Sequence, residues 1–242
     1  RDLPFRPGGA GLIRNVRDPR HRTREVHTVK LAVIGAGGKA GRKIVAEAQN
    51  RGVDVRSLVR DPETKTDLEG AVVACEADDA KSVAAAVAGS DAVVLAVGPK
   101  SGDVESLAAT TRSVLQGMRE AGVTRFVMVG GAGTLSTADG TPLMDTPEFP
   151  AAAQPTAQAH QRALELLSNN SETDGIDWVY ISPAARFLPD EERQGGYQVG
   201  KDQLLVDSEG QSRISYADYA IAVIDELEKK THSGQRITVT WK

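Results

Sequence analysis

The sequence predicts an α/β protein with a doubly wound parallel sheet and helices on both faces. Three observations lead there. From residue 30 onward, short apolar runs alternate with amphipathic stretches. A glycine-rich segment, VIGAGGKAG (33–41), lies between the first run and the first amphipathic stretch. Apolar residues make up 40% of the 242 residues but aromatics only 4%, so the core must be built from Val, Ile, Leu and Ala. Such strands suit a sheet buried on both faces.

The elements follow in order. KLAVI (30–34) is a buried strand, and KAGRKIVAEAQNRG is a helix with Ile44, Val45 and Ala48 on one face and Gly52 as its C-cap. VDVRSLV (53–59) and AVVAC (71–75) are strands. DAKSVAAAVAG (79–89) is a helix with an Asp N-cap. DAVVLAV (91–97) is the fourth strand, VESLAATTRSVLQGMREAG (104–122) a long helix and TRFVMV (124–129) the fifth strand. AHQRALELLSNN (159–170) is a helix, IDWVYI (176–181) a strand, SYADYAIAVIDELEKK (215–230) a helix and QRITVTW (235–241) the last strand. Residues 131–158 and 183–214 lack a regular pattern. Each follows a strand at its carboxyl end, where such sheets bind ligands, so both are candidate walls of a substrate pocket. No linker divides residues 29–242, which read as one domain.

The formal net charge of −4 is uneven. Residues 1–28 hold seven Arg against three acids, a local +4, and leave −8 for the rest. The basic stretch reads as a disordered extension. An acidic body argues against nucleic acid, which requires a basic face. No apolar run approaches a membrane span. Cys75 is the only cysteine, which fits a reducing cytoplasm. The four histidines, at 21, 27, 160 and 232, show no metal-ligand spacing, so no metal site is expected.

The glycine segment gives G-x-x-G-x-x-G at Gly35, Gly38 and Gly41, with Gly35 and Gly37 as a G-x-G start. One glycine turns the chain sharply, one lets the backbone approach a pyrophosphate, and one lets the helix pack on the sheet. The phosphates then meet the helix N-terminus. The second strand ends SLVRDP, so Arg60 stands where an acid would hold a free ribose hydroxyl. A guanidinium suits a 2′-phosphate, and Lys39 can add a second charge. NADP(H) is favoured over NAD(H).

Short-chain dehydrogenases use a Tyr–Lys pair spaced Y-x-x-x-K. The helix that would carry it, PTAQAHQRALELL, puts Ala157 and Gln161 near the two places, and the chain is read as lacking the pair. The fifth strand ends VGGAG rather than in serine. His160 is a substitute acid candidate.

With these features, VIGAGGKAGRKIVAEAQNRGVDVRSLVRDP resembles the start of atypical short-chain dehydrogenase/reductase proteins. More narrowly, it resembles the NADH-flavin-reductase-like group of NAD(P)H-binding proteins, similar to biliverdin IXβ reductase/flavin reductase and NmrA-like proteins. VGGAGTL, LMDTPEFP, DWVYISPAARFLPDEERQGGYQVG and SRISYADYAIAVIDELE extend the resemblance over about residues 29–240. It implies a Rossmann-like fold and reduction of a flavin or another flat conjugated acceptor. Gly35, Gly38, Lys39 and Ala40 would hold the pyrophosphate, and Arg60 the 2′-phosphate. Val97 and Gly98 would pass the ribose. Gly130, Gly131, Ser182 and Pro183 would flank the nicotinamide. Ser182 is a second catalytic candidate, with strand capping as its other role. Phe187 and Tyr197 are candidate apolar walls. Flavin enters as a substrate rather than a tightly bound group. The alternative is a regulator that binds NADP(H) as a redox signal without turnover.

Overall fold

The structure, a computed structural model, describes residues 29–65 and 67–242. The basic stretch 1–28 lies outside them. The strands are β1 (Lys30–Ile34), β2 (Asp54–Val59), β3 (Ala71–Ala74), β4 (Ala92–Leu95), β5 (Arg125–Val129), β6 (Asp177–Ser182), β7 (Arg186–Leu188), β8 (Tyr197–Gly200), β9 (Arg213–Ser215) and β10 (Gln235–Trp241). The helices are α1 (Lys39–Asn50), α2 (Ala80–Val87), α3 (Ser106–Ala121), α4 (Gln154–Leu167), α5 (Asn170–Thr173) and α6 (Tyr216–Lys229).

Eight strands form one sheet in the order β3-β2-β1-β4-β5-β6-β10-β8. All neighbours run parallel except β8, which pairs antiparallel with β10. The order reverses between β1 and β4, which opens a crevice at the carboxyl ends there. Alternation along the strands sorts the core into two layers. Leu31, Val33, Val127 and Val179 meet α1 and α6 on one face. Ala32, Ile34, Phe126 and Met128 meet α2, α3 and α4 on the other. Gly117 lets α3 lie directly on α2, since a Cβ there would stand 2.6 Å from the Ala80 carbonyl oxygen.

The insertions differ from the sequence expectation. α4 starts at Gln154, ahead of residue 159, because Pro155 falls in its first turn, where the missing N–H costs nothing. Residues 183–214 contain β7, β8 and β9, which are too short to show a period. β7 and β9 pair as a separate parallel ribbon. Buried Asp218 anchors this insertion. It accepts from Gln194 N (2.9 Å), Gly195 N (2.8 Å), Ser215 Oγ (2.9 Å) and Trp241 Nε1 (2.7 Å). Four donors satisfy a carboxylate that burial alone would make costly.

Candidate functional site

The crevice is built by the glycine loop. Gly35 has φ +84°, and a Cβ there would stand 2.6 Å from the Ala96 carbonyl oxygen. At Gly41 a Cβ would stand 2.2 Å from the Gly35 carbonyl oxygen, so only glycine lets α1 begin against the strand exit. Gly38 is the N-cap, and no side chain caps the helix. The first turn also holds no acid. These features suit an anion at the helix start. Arg42 reaches back from α1 to the Gly37 carbonyl (3.0 Å) and braces the loop, a role that its position alone does not signal.

The crevice has two chambers, each about 500 Å³, which share Gly38, Ala96, Val97 and Gly98. The first holds Gly35, Gly37, Arg60, Lys65 and Lys100. Arg60 is exposed and has no ion-pair or hydrogen-bond partner among the described residues. It does not pair with Asp61, whose carboxylate instead caps the following 3-10 turn through Glu63 N (3.1 Å). Lys65 likewise stands unpaired among the described residues, beside Gly37. Lys100 is committed to Asp78 (2.8 Å). That pair, with the Thr110 hydroxyl, holds the Asp78 carboxyl below the usual range.

The second chamber holds Lys39, Ala40, Gly130, Gly131 and Pro183. Lys39 therefore borders the chamber opposite Arg60, and Lys65 rather than Lys39 is its cationic neighbour. The sequence gives no sign of this, because Lys65 comes from an irregular turn. Ser182 does not reach either chamber. It is fully buried and its Oγ has no partner. Two positions after Tyr180 on β6, it shares that residue's face beneath the sheet.

Both insertions wall the second chamber, with Leu143, Phe149 and Pro150 from one and Phe187 from the other. Phe187 packs edge-on against Tyr216, with ring centroids 3.8 Å apart, and against Tyr219 at 4.8 Å. Phe149 and Tyr216 are wall residues that sequence reasoning missed. Tyr197 is not one of them. Its hydroxyl donates to Asp225 (2.7 Å), outside both chambers.

The tyrosine–lysine spacing does occur once, at Tyr197 and Lys201, so the reading of the chain as lacking it needs correction. That pair begins on the edge strand β8 and not on a helix at the crevice. On α4, Ala157 lines the chamber, while Gln161 lines a different cavity. His160 does reach the chamber. Its Nδ1 lies 3.1 Å from the Tyr180 hydroxyl, which accepts from Gly131 N at 2.9 Å. Burial pulls the His160 imidazole down to about 4, so it is neutral at physiological pH.

A glycine cradle at a switch point and an uncapped helix start fit a dinucleotide. A family model described as NAD(P)H-binding matches residues 35–227. The chain belongs to this NAD(P)H-binding family. It is 42% identical over 213 residues to the uncharacterised YwnB of Bacillus subtilis (strain 168), covering 87% of this chain and 98% of that protein. Among solved structures, a provisionally described exported protein of Burkholderia pseudomallei is 40% identical with TM-score 0.79. That match covers 88% of this chain and all of the other. A provisionally described NADH-flavin reductase of Streptococcus pneumoniae TIGR4 is 37% identical with TM-score 0.75, over the same shares. This NAD(P)H-binding chain thus has a Rossmann fold with reductase-like relatives. Among the described residues, no helix is long and apolar enough to cross a membrane.

Proposed function

We propose that the protein is an NADPH-dependent reductase that passes hydride to a flavin, a quinone or a similar flat conjugated acceptor. The observation that carries this reading is the crevice itself. Two unpaired cations sit in one chamber, an aromatic-walled chamber adjoins it, and both open on Val97 and Gly98. A dinucleotide laid across them would put its phosphorylated ribose by Arg60 and Lys65. Its nicotinamide would lie by Gly130, Gly131 and Pro183.

When bound, the reduced dinucleotide supplies the hydride. The chain supplies placement. The Gly35–Gly41 loop and the start of α1 hold the pyrophosphate, with Lys39 and Ala40 on its nicotinamide side. Phe149, Phe187 and Tyr216 hold a flat acceptor against the nicotinamide position and exclude water. Such an acceptor spreads its new charge over a ring, so a solvent proton suffices and no tyrosine acid is required. Catalysis is then mainly proximity and orientation.

Purified protein mixed with NADPH and FMN, FAD or a quinone should consume NADPH, followed at the nicotinamide absorbance band, well above the uncatalysed rate. Tight NADPH binding with every acceptor left oxidised would replace the reductase with a regulator that senses the nucleotide. For the cofactor preference, Arg60→Ala should weaken NADPH binding and leave NADH binding nearly unchanged. Equal losses would remove the assignment to NADPH.

A further inference from the structure

We infer that His160 donates a hydrogen bond from Nε2 to the reducible acceptor, and that Tyr180 is the positioning residue that keeps the imidazole proton on Nε2. The inference rests on the reductase reading for its substrate and on the geometry of three groups for its donor.

The Tyr180 hydroxyl decides the tautomer. Its oxygen accepts from the Gly131 amide at 2.9 Å. Its single hydrogen has two possible acceptors, His160 Nδ1 at 3.1 Å and the His160 carbonyl at 3.4 Å. The carbonyl lies inside α4, where the helix already supplies it a donor. On this inference the hydrogen goes to the shorter contact, Nδ1 at 3.1 Å rather than the carbonyl at 3.4 Å. A neutral imidazole with Nδ1 as acceptor carries its proton on Nε2. Nε2 has no hydrogen-bond partner among the described residues, and on the same inference it is directed to the chamber that His160 lines.

The placement is built rather than incidental. A Cβ at Gly131 would stand 2.8 Å from His160 Cγ, and a Cβ at Gly130 would stand 2.3 Å from Tyr180 Cε1. The two glycines that border the chamber are thus the ones that let this histidine and tyrosine come up beneath it. His160 also follows Ala157 by three residues on α4, so the two share a face.

In the reaction, two electrons and one hydrogen reach the acceptor as hydride from the reduced nicotinamide. Negative charge appears on an acceptor oxygen or ring nitrogen. The Nε2–H of His160 hydrogen-bonds that atom and stays on the imidazole. A proton from water then completes the reduction. Burial favours this role over outright proton donation, because the ring is not protonated near neutral pH.

The test uses protein with 15N-labelled histidine, FMN and a naphthoquinone. Near neutral pH, the His160 imidazole should show its proton on Nε2, and oxidised FMN or naphthoquinone should shift that resonance. Tyr180→Phe should mix the two tautomers, and an imidazole proton left wholly on Nε2 in that variant would remove Tyr180 as the positioning residue. His160→Phe, which keeps a ring but has no donor, should lower kcat by about tenfold to a hundredfold, below the full effect of an oxyanion-hole donor. His160→Gln, which restores an N–H, should recover part of it. A proton found on Nδ1, or a kcat untouched in folded His160→Phe, overturns the inference. If no acceptor is turned over by the unmodified protein but the Nε2–H resonance still shifts with FMN, the donor stands and the reductase reading falls.

Discussion

Lys65 and Lys39 lie in different chambers of the crevice, so on the proposed reading each would meet a different part of the cofactor. Lys65→Ala should weaken NADPH binding about tenfold, the scale of one charge-assisted hydrogen bond, and spare NADH. Lys39→Ala should affect NADPH and NADH alike. Calorimetric titration of both variants with both nucleotides tests this. His160 predicts a pH effect on stability. Its folded affinity for protons is depressed from 6.5 to about 4, so the unfolded chain takes up a proton that the fold refuses. Stability is therefore full above the unfolded value and falls by about 3 kcal/mol as pH drops to about 4. Urea denaturation over that range should show this loss, and His160→Gln should show less of it. The placing of the glycines and Arg60 at the crevice was legible because it follows from backbone freedom and strand position. Lys65 was not, because only the fold carries an irregular turn back beside Gly37. The Ser182 placement depended on strand parity, which the residue's polar character concealed.

Two glycines separate binding from packing at the level of elements. Gly41→Ala would press a methyl into the exit of β1 and displace α1 from the cradle. Gly117→Ala would press one between α3 and α2, away from the crevice. Both should lose about 1–3 kcal/mol of stability through overpacking, and only Gly41→Ala should also lose NADPH affinity. Paired denaturation and binding measurements distinguish them. The long elements were legible from periodicity, since each buries a continuous apolar face. The start of α4 was legible in the segment PTAQAHQRALELL, where Pro155 suits a first helical turn, and was missed only where periodicity alone set it at residue 159. β7, β8 and β9 were hidden because three or four residues cannot display alternation.

For the whole molecule, cofactor binding should act on every layer of the sheet. NADPH at a hundred times its dissociation constant should add about 2.7 kcal/mol to stability by mass action. Thermal unfolding with increasing NADPH measures it, and an unmoved transition would mean that the crevice does not bind this nucleotide. The sheet order also bears on how the chain is made. β8 precedes β10 in the chain but docks outside it, against an edge that does not exist until β10 has been laid beside β6. During synthesis, then, the insertion carrying Phe187 emerges before its support. In that interval β6 is a bare parallel edge, with open amides and carbonyls able to recruit a strand from another molecule. Translation that stalls before residue 235 would release an aggregation-prone chain, a natural target for chaperones and proteases.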